Sequence, residues 1–443
     1  MSDGRYQAYS EYKASEITWL GKVPAHWTLI RFKHVFTDKK KTLRPDLPPG
    51  SISFGRVVYK DTEVLSSETK AAYQEVLSGE FLVNPLNLNY DLMSLRTALS
   101  SIDVVVSTGY IVLQSTGKLH PNYARWLLQQ FDVAHMKTLG AGVRQTINYA
   151  DIGNSFFFEP SQSEQIQIAA FLDHETAKID RLIEKQQGLI ALLKEKRQAV
   201  ISHAVTQGIN PHAPRKDSGI EWLGEVPTHW KLKNYRYASR IYRGKFGHRP
   251  RNDPAFYDGK YPFIQTGDIA RAGKNITSYS QTLNERGIAV SQKFPAGTLV
   301  MAIAANIGDT AILGFEAYAP DSVVGFKPCE DVDLGFLRYS LMAALPALER
   351  TSTQSTQANL NIDRIGSVQA AFPPIAEQRE IVLKIEALLQ NFGTIETEAQ
   401  NAIELMQERR TALISAAVTG KIDVRAWQPP VVSELETTEA VTG

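Results

Sequence analysis

Ser15-Glu-Ile-Thr-Trp19-Leu-Gly-Lys-Val-Pro24-Ala-His26-Trp27 returns as Ser218-Gly-Ile-Glu-Trp222-Leu-Gly-Glu-Val-Pro227-Thr-His229-Trp230, with nine identities in thirteen positions at an offset of 203. A second phrase also recurs. Pro160, Glu164-Gln165 and Ile201-Ser202-His-Ala204-Val205-Thr206 reappear as Pro373, Glu377-Gln378 and Ile414-Ser415-Ala-Ala417-Val418-Thr419, at an offset of 213. The unequal offsets place ten extra residues between the two phrases of the second copy. The ends of each unit are held in common while the middles have drifted apart. Such a chain presents two unlike surfaces from one pseudo-symmetric frame.

The second phrase opens a helix in each copy. Ser161-Gln-Ser-Glu164 fits a capping box, and Pro373-Pro374 offers a proline suited to the first helical position. Ile168, Leu172, Ile179, Leu182, Ile183, Leu189, Ile190, Leu193 and Val200 then follow the three-and-four spacing of one buried stripe. In the second copy the stripe reads Ile381, Ile385, Phe392, Ile395, Ala402, Ile403, Met406 and Leu413, broken only by Glu396. Roughly forty helical residues reach about 60 Å, too far for one globular domain to bury. The economical partner for each helix is the other, as an antiparallel coiled coil. Lys194, Lys196, Arg197, Arg409 and Arg410 read as its solvated face. Gly208 and Gly420 mark the helix ends.

With 443 residues, two or more cores are expected, and the repeat gives the cut. A single cysteine, Cys329, excludes a disulfide framework or a thiolate zinc site. No apolar run reaches bilayer length and the N-terminus lacks a signal-peptide layout, so a cytoplasmic protein is expected. The net charge of only +1 means that any nucleic-acid role must rest on local patches.

The middles read as short strands punctuated by glycine and proline: Glu80–Asn84, Asp103–Ser107 and Tyr110–Gln114 in the first, Tyr261–Gln265, Thr298–Ala302 and Thr310–Gly314 in the second. An amphipathic helix follows in each, around Pro121–Lys137 and Leu334–Glu349. Each domain is therefore expected to be α+β. The tryptophans and histidines of the first phrase suit a structural aromatic clamp. Twelve residues past Trp27 stand Lys39, Lys40 and Lys41 with Arg44; twelve past Trp230 begins a glycine-broken loop carrying Arg243, Lys245, His248, Arg249 and Arg251. Such cations can neutralise phosphates, and arginine can read guanine edges; a merely solvated charge run is the competing reading. The polar stretches holding Arg144-Gln145 and Gln354 with Gln357 are further candidates for base contacts.

Catalytic machinery is not evident. No phosphate-cradling loop or metal-ligand spacing occurs, Asn84-Pro85-Leu86-Asn87 lacks the second proline and aromatic of an adenine-methylation signature, and Phe372-Pro373-Pro374 lacks its leading Asp or Asn.

The duplicated Trp-Leu-Gly-x-Val-Pro-x-His-Trp, the pairs Ile147-Asn148 and Leu360-Asn361 followed by Ile152-Gly153 and Ile365-Gly366, and the Pro-x-x-x-Glu-Gln helix starts resemble the specificity (S) subunit of type I DNA restriction-modification enzymes. The resemblance runs from about residue 15 to 425. It implies an α+β chain with two β-rich target-recognition domains in tandem pseudo-repeat, each followed by a long helix of the coiled coil. On that plan, 1–14 is an N-terminal tail, 15–160 and 218–373 are the recognition domains, 161–207 and 374–425 the helical repeats, 208–217 a linker and 426–443 a disordered acidic tail. The expected function is recognition of a bipartite, asymmetric site on double-stranded DNA, without catalysis by this chain. The implied partners are two methyltransferase (M) and two restriction (R) subunits, with S-adenosylmethionine, ATP and Mg2+ on those partners and no cofactor here. A non-catalytic scaffold whose paired domains bind protein is the alternative.

Overall fold

The computed structural model describes residues 6–53, 55–60, 67–86, 95–139, 146–350 and 360–429. The chain divides into two compact units, one formed by residues 1–186 with 401–443 and the other by 187–400. Each is mixed α/β, and each contains half of both long helices, Gln162–Gln207 and Ile375–Val418.

In the first unit a six-stranded sheet runs in the order Phe36–Asp38, Ile111–Ser115, Phe81–Val83, Thr97–Leu99, Arg56–Tyr59, Gly50–Ser53. Val104–Val106 pairs separately with Gln74–Val76. The expected strands around Glu80, Asp103 and Tyr110 are thus present. The expected amphipathic helix starts at Pro121 as an α-helix to Phe131 and then widens into a π-turn over Asp132–Met136. Its buried face, with Tyr123, Leu127 and Phe131, joins a core that also takes in Ile168, Leu172, Ile179, Leu413, Ile414 and Ala417. The start of the first long helix therefore packs beside the end of the second.

The second unit uses two sheets. A five-stranded one runs Ser239–Arg243, Val323–Pro328, Leu299–Ala302, Thr310–Leu313, Asn275–Ile276, and a four-stranded one runs Gln281–Leu283, Tyr257–Phe263, Ala317–Ala319, Gln292–Phe294. The late helix is split into Leu334–Ala343 and Leu345–Arg350. Here the core joins Ile201, Ala204 and Val205, near the end of the first long helix, with Ile381 and Ile385 near the start of the second.

Arg197 and Arg410 occupy the same register in the two repeats, and neither is simply solvated. Arg197 pairs with Glu396 at 3.1 Å in the second unit, and Arg410 with Asp180 at 2.8 Å in the first. The break that Glu396 makes in the apolar stripe therefore supplies an ion pair across the helices. Both helices end on a glycine in the left-handed region, Gly208 at φ +75° and Gly420 at φ +71°.

Residues 6–14, expected as a tail, are folded into the first unit. Tyr12–Ala14 pairs with Lys22–Pro24, Tyr9 is buried, and Asp423 donates its backbone N–H to Gln7 O at 2.7 Å. Arg425 lies over the Tyr9 ring, and Trp427 meets Phe171 edge-on at 5.4 Å. The corresponding place in the second unit is filled by the continuous 208–217 connection, where Arg215–Asp217 pairs with Glu225–Pro227. Among the described residues, no helix is long and apolar enough to cross a membrane.

Candidate nucleic-acid interface

The repeated phrases form a lock that joins the same residues in both units. His26 Nε2 meets Glu164 Oε1 at 2.9 Å and Trp27 donates its indole N–H to the same oxygen at 3.4 Å; His229 and Trp230 divide the two oxygens of Glu377, Oε2 at 2.7 Å and Oε1 at 3.0 Å. The following glutamine holds the strand that leads in. Gln165 Nε2 donates to Pro160 O and Gln378 Nε2 to Pro373 O, at 3.1 and 2.8 Å, while their carbonyls accept from His120 N and Asp333 N. A glutamate at a helix start is favoured by the orphan N–H groups there. Burial would raise the pKa of Glu164, but hydrogen bonds from His26 and Ser161 outweigh it and hold the carboxyl below its ordinary value. Asn148 and Asn361 cap the short helices Tyr149–Asn154 and Ile362–Ser367 by accepting from Asp151 N and Arg364 N. The clamp residues are thus structural in both units.

From this frame the second unit projects its basic loop. Arg243 closes a strand paired with Val323–Pro328, so the turn ahead of that neighbour brings Asp321 beneath the loop. Arg243 Nε donates to Asp321 O at 2.7 Å, Arg251 reaches both Asp321 oxygens at 2.5 and 2.6 Å, and Arg249 lies 3.6 Å from the same carboxylate. Asp321 therefore organises three exposed guanidinium groups, two through its carboxylate and Arg243 through its backbone carbonyl, and the cluster stays positive. Lys245 is exposed beside them. Gly244 is required by close approach, because a Cβ there would lie 2.0 Å from Pro320 O. His248 stacks on Phe256 at 4.0 Å and meets Asp253 at 3.0 Å. The Asp253 carboxyl lies below its ordinary range because Ala255 N–H, and then His248, donate to it.

In the first unit the cations are arranged differently. The Lys39 side chain is enclosed between Glu75 and Glu80, at 3.1 and 2.8 Å, and Gln114 donates to the far oxygen of Glu80. Arg44 forms a two-bond pair with Asp46 and lies 3.7 Å from Glu75. Lys41 donates to Thr108 O, and Lys40 is exposed. Arg144, Gln145, Gln354 and Gln357 lie outside the described residues. Among the described residues no group of three or more His, Cys, Asp or Glu side chains could hold a metal ion.

Residues 247–405, which hold most of the basic loop and its sheets, match the type I restriction modification DNA specificity domain. The chain is 23% identical over 338 residues to the type I restriction enzyme EcoDI specificity subunit of Escherichia coli, covering 70% of this chain and 72% of that protein. It is 22% identical over 305 residues to the EcoKI specificity subunit of Escherichia coli strain K12, covering 62% and 60%. Residues 247–405 thus carry a type I specificity domain, and the chain as a whole is similar to type I specificity subunits. Its fold superposes with a TM-score of 0.64, at 14% identity and over 89% of this chain and 98% of the other, on a chain from a structural study of complex assembly and conformational transition of the type I R-M system.

The sequence marked the basic loop but not its surroundings. Phe246, Tyr257 and Phe263 form the floor of a cleft of about 270 Å3 beside Arg251, with Gln265 and Gln281 at its side. Gln265 and Gln281 are sixteen positions apart in the chain, and only strand pairing, with Phe263 opposite Gln281, joins them.

Proposed function

We propose that this chain is a specificity subunit that recognises a bipartite, asymmetric site on double-stranded DNA, one half-site for each unit, and carries no catalysis of its own. The observation that carries the reading is the duplicated lock of tryptophan, histidine and glutamate around middles that share neither length nor sheet plan. A conserved frame serves identical partners, and divergent middles serve unlike half-sites. The exposed cluster of Arg243, Lys245, Arg249 and Arg251 suits phosphate and guanine contacts in one half-site. In the other, Lys40, Lys41 and Arg44 suit contacts to the phosphate backbone.

The two long helices act as an antiparallel coiled coil that spaces the half-sites, a reading supported by the crossing pairs Arg197–Glu396 and Arg410–Asp180. They also present docking positions in duplicate. Leu182 and Ile395 share one register position and Leu192 and Leu405 another, and all four are open, at 51, 40, 50 and 66% exposure. Equivalent apolar side chains left open in both repeats suit two copies of one partner. That partner is the methyltransferase subunit, through which restriction subunits join; S-adenosylmethionine, ATP and Mg2+ would enter with those subunits.

The test is to express the chain with its methyltransferase partner and map N6-methyladenine across the host DNA. A motif of two short defined sequences separated by a fixed undefined spacer is expected. A single contiguous motif, or no motif in a complex that assembles, would overturn the reading.

A further inference from the structure

The cleft beside the basic loop of the second unit carries an arrangement that points to one base. Phe246 is buried, lies 5.8 Å from Tyr257 with rings nearly parallel, and contacts Phe263 at 5.5 Å, so the floor is packed before any ligand arrives. Two carboxamides line the same cleft. Gln281 opens a strand opposite Phe263, the last residue of its neighbour, and Gln265 lies two residues beyond that end. Gln265 is further fixed by its backbone N–H, which donates to Asp268 Oδ2 at 2.9 Å, and Asp268 is in turn bound by Arg271 and Ser280.

The side chains meet head to tail, Gln265 Nε2 donating to Gln281 Oε1. That bond leaves the amide N–H groups of Gln281 and a lone pair on the Gln265 carbonyl for a ligand. A donor beside an acceptor matches the major-groove edge of adenine, which offers N7 as acceptor and N6–H as donor. Guanine presents two acceptors there, and its O6 would face the Gln265 carbonyl. Arg251 lines the same cleft, so a cation sits where the adjoining phosphate or a neighbouring guanine would lie.

We infer that Gln281 and Gln265 together read one adenine of the half-site contacted by the second unit, in the cleft floored by Phe246 and Tyr257. This rests on the reading of the chain as a bipartite DNA-recognition subunit. It is tested by selecting duplexes from a randomised library with the complex of this chain and its methyltransferase partner, using wild type, Gln281→Ala, Gln265→Ala and Gln281→Glu. Each alanine variant is expected to lower adenine preference about 10- to 100-fold at one position, with the other half-site unchanged. Gln281→Glu replaces the donors by acceptors and is expected to move that position toward cytosine, whose N4–H donates. A shifted base preference cannot come from loss of folding. An unchanged preference at every position, or an equal loss at all positions of both half-sites, overturns the adenine assignment. If wild type itself selects no bipartite site, the recognition reading fails instead.

Discussion

Twelve residues past the second clamp tryptophan, the first unit places Lys39 and the second places Tyr242, next to Arg243; the chain distance is the same and the chemistry is not. The Lys39 side chain is only 8% exposed and is enclosed by Glu75 and Glu80, whereas Arg249 and Arg251 lie on the surface and share Asp321. A cation's place in the sequence does not decide its work; the acids on neighbouring strands do. The sharpest way to break this contrast is to remove one cation from each unit. Lys39→Ala would leave the buried Glu80 without its counter-charge and Glu75 with only Arg44 at 3.7 Å, and about 3–5 kcal/mol of stability should be lost from the first unit. Arg251→Ala breaks an exposed pair, so less than about 1 kcal/mol is expected, together with a log–log salt slope of DNA binding lowered by about 1. Urea unfolding followed by hydrogen exchange in each unit, and binding titrations across salt, separate the two. A stable Lys39→Ala with an altered salt slope would reverse the comparison.

Next in expected size is the lock. Glu164 is almost fully buried and accepts from His26, Trp27 and Ser161, whereas the equivalent Glu377 is more open. Glu164→Ala should cost the first unit about 2–3 kcal/mol by leaving the Trp27 indole N–H and its neighbours unpaired, and Glu377→Ala about 1–2 kcal/mol. The first unit should also respond to acid. Because the folded Glu164 carboxyl titrates below its ordinary 4.5, its contribution is present above that value and is lost as pH falls through the lower, folded one. Hydrogen exchange at residues 162–172 should therefore accelerate in wild type as pH drops below about 4.5, after correction for the intrinsic rate, and do so less in Glu164→Gln. Equal acid responses in the two proteins would remove the carboxylate from this role.

The helix ends give a smaller contrast. A Cβ on Gly420 would lie 2.4 Å from the Pro24 ring, while one on Gly208 meets Trp230 at 3.3 Å, and both residues hold positive φ. Gly208→Ala should cost about 1–2 kcal/mol from the left-handed backbone alone. Gly420→Ala adds displacement of a proline, and about 2 kcal/mol or more is expected. Thermal unfolding of the two variants ranks them, and an equal loss would mean that the Pro24 contact yields freely.

What could be read in the chain beforehand follows from what repetition exposes. Glu164-Gln165 and Glu377-Gln378 stood out because each does a job that a particular side chain must do, binding the clamp and the incoming strand in both copies. The long helices were legible from apolar spacing, but only the stripe near their ends enters a core; Leu182, Leu189 and Ile395, expected in the buried stripe, lie open. The partners of the basic residues were not. Asp321 reaches Arg251 across 70 positions and Glu75 reaches Lys39 across 36, and strand order sets both meetings without leaving a local pattern. Gln265 and Gln281 were silent for the same reason. The segment before Tyr12 looked like a tail because the residues that bury it, Asp423 to Trp427, lie at the other end of the chain.

The smallest effects should come from the two ion pairs across the helices, and here the units are expected to differ by environment rather than by wiring. Arg197 and Arg410 hold the same register, yet their acids sit one turn apart in the repeat, Glu396 for one and Asp180 for the other. Arg410 also lies 5.8 Å from the Trp126 ring centroid, so its cation has a second favourable neighbour. Arg197→Ala should cost about 0.2–1 kcal/mol, the range of a partly exposed pair, and Arg410→Ala somewhat more, with the difference persisting at 1 M salt because the aromatic contact is screened less than the ion pair. A double-mutant cycle of Arg410 with Asp180, repeated on a Trp126→Leu background, measures the two contributions separately. If the coupling energy is zero there and in the matching cycle of Arg197 with Glu396, the ion pairs do not hold the helices together and the apolar contacts alone do so.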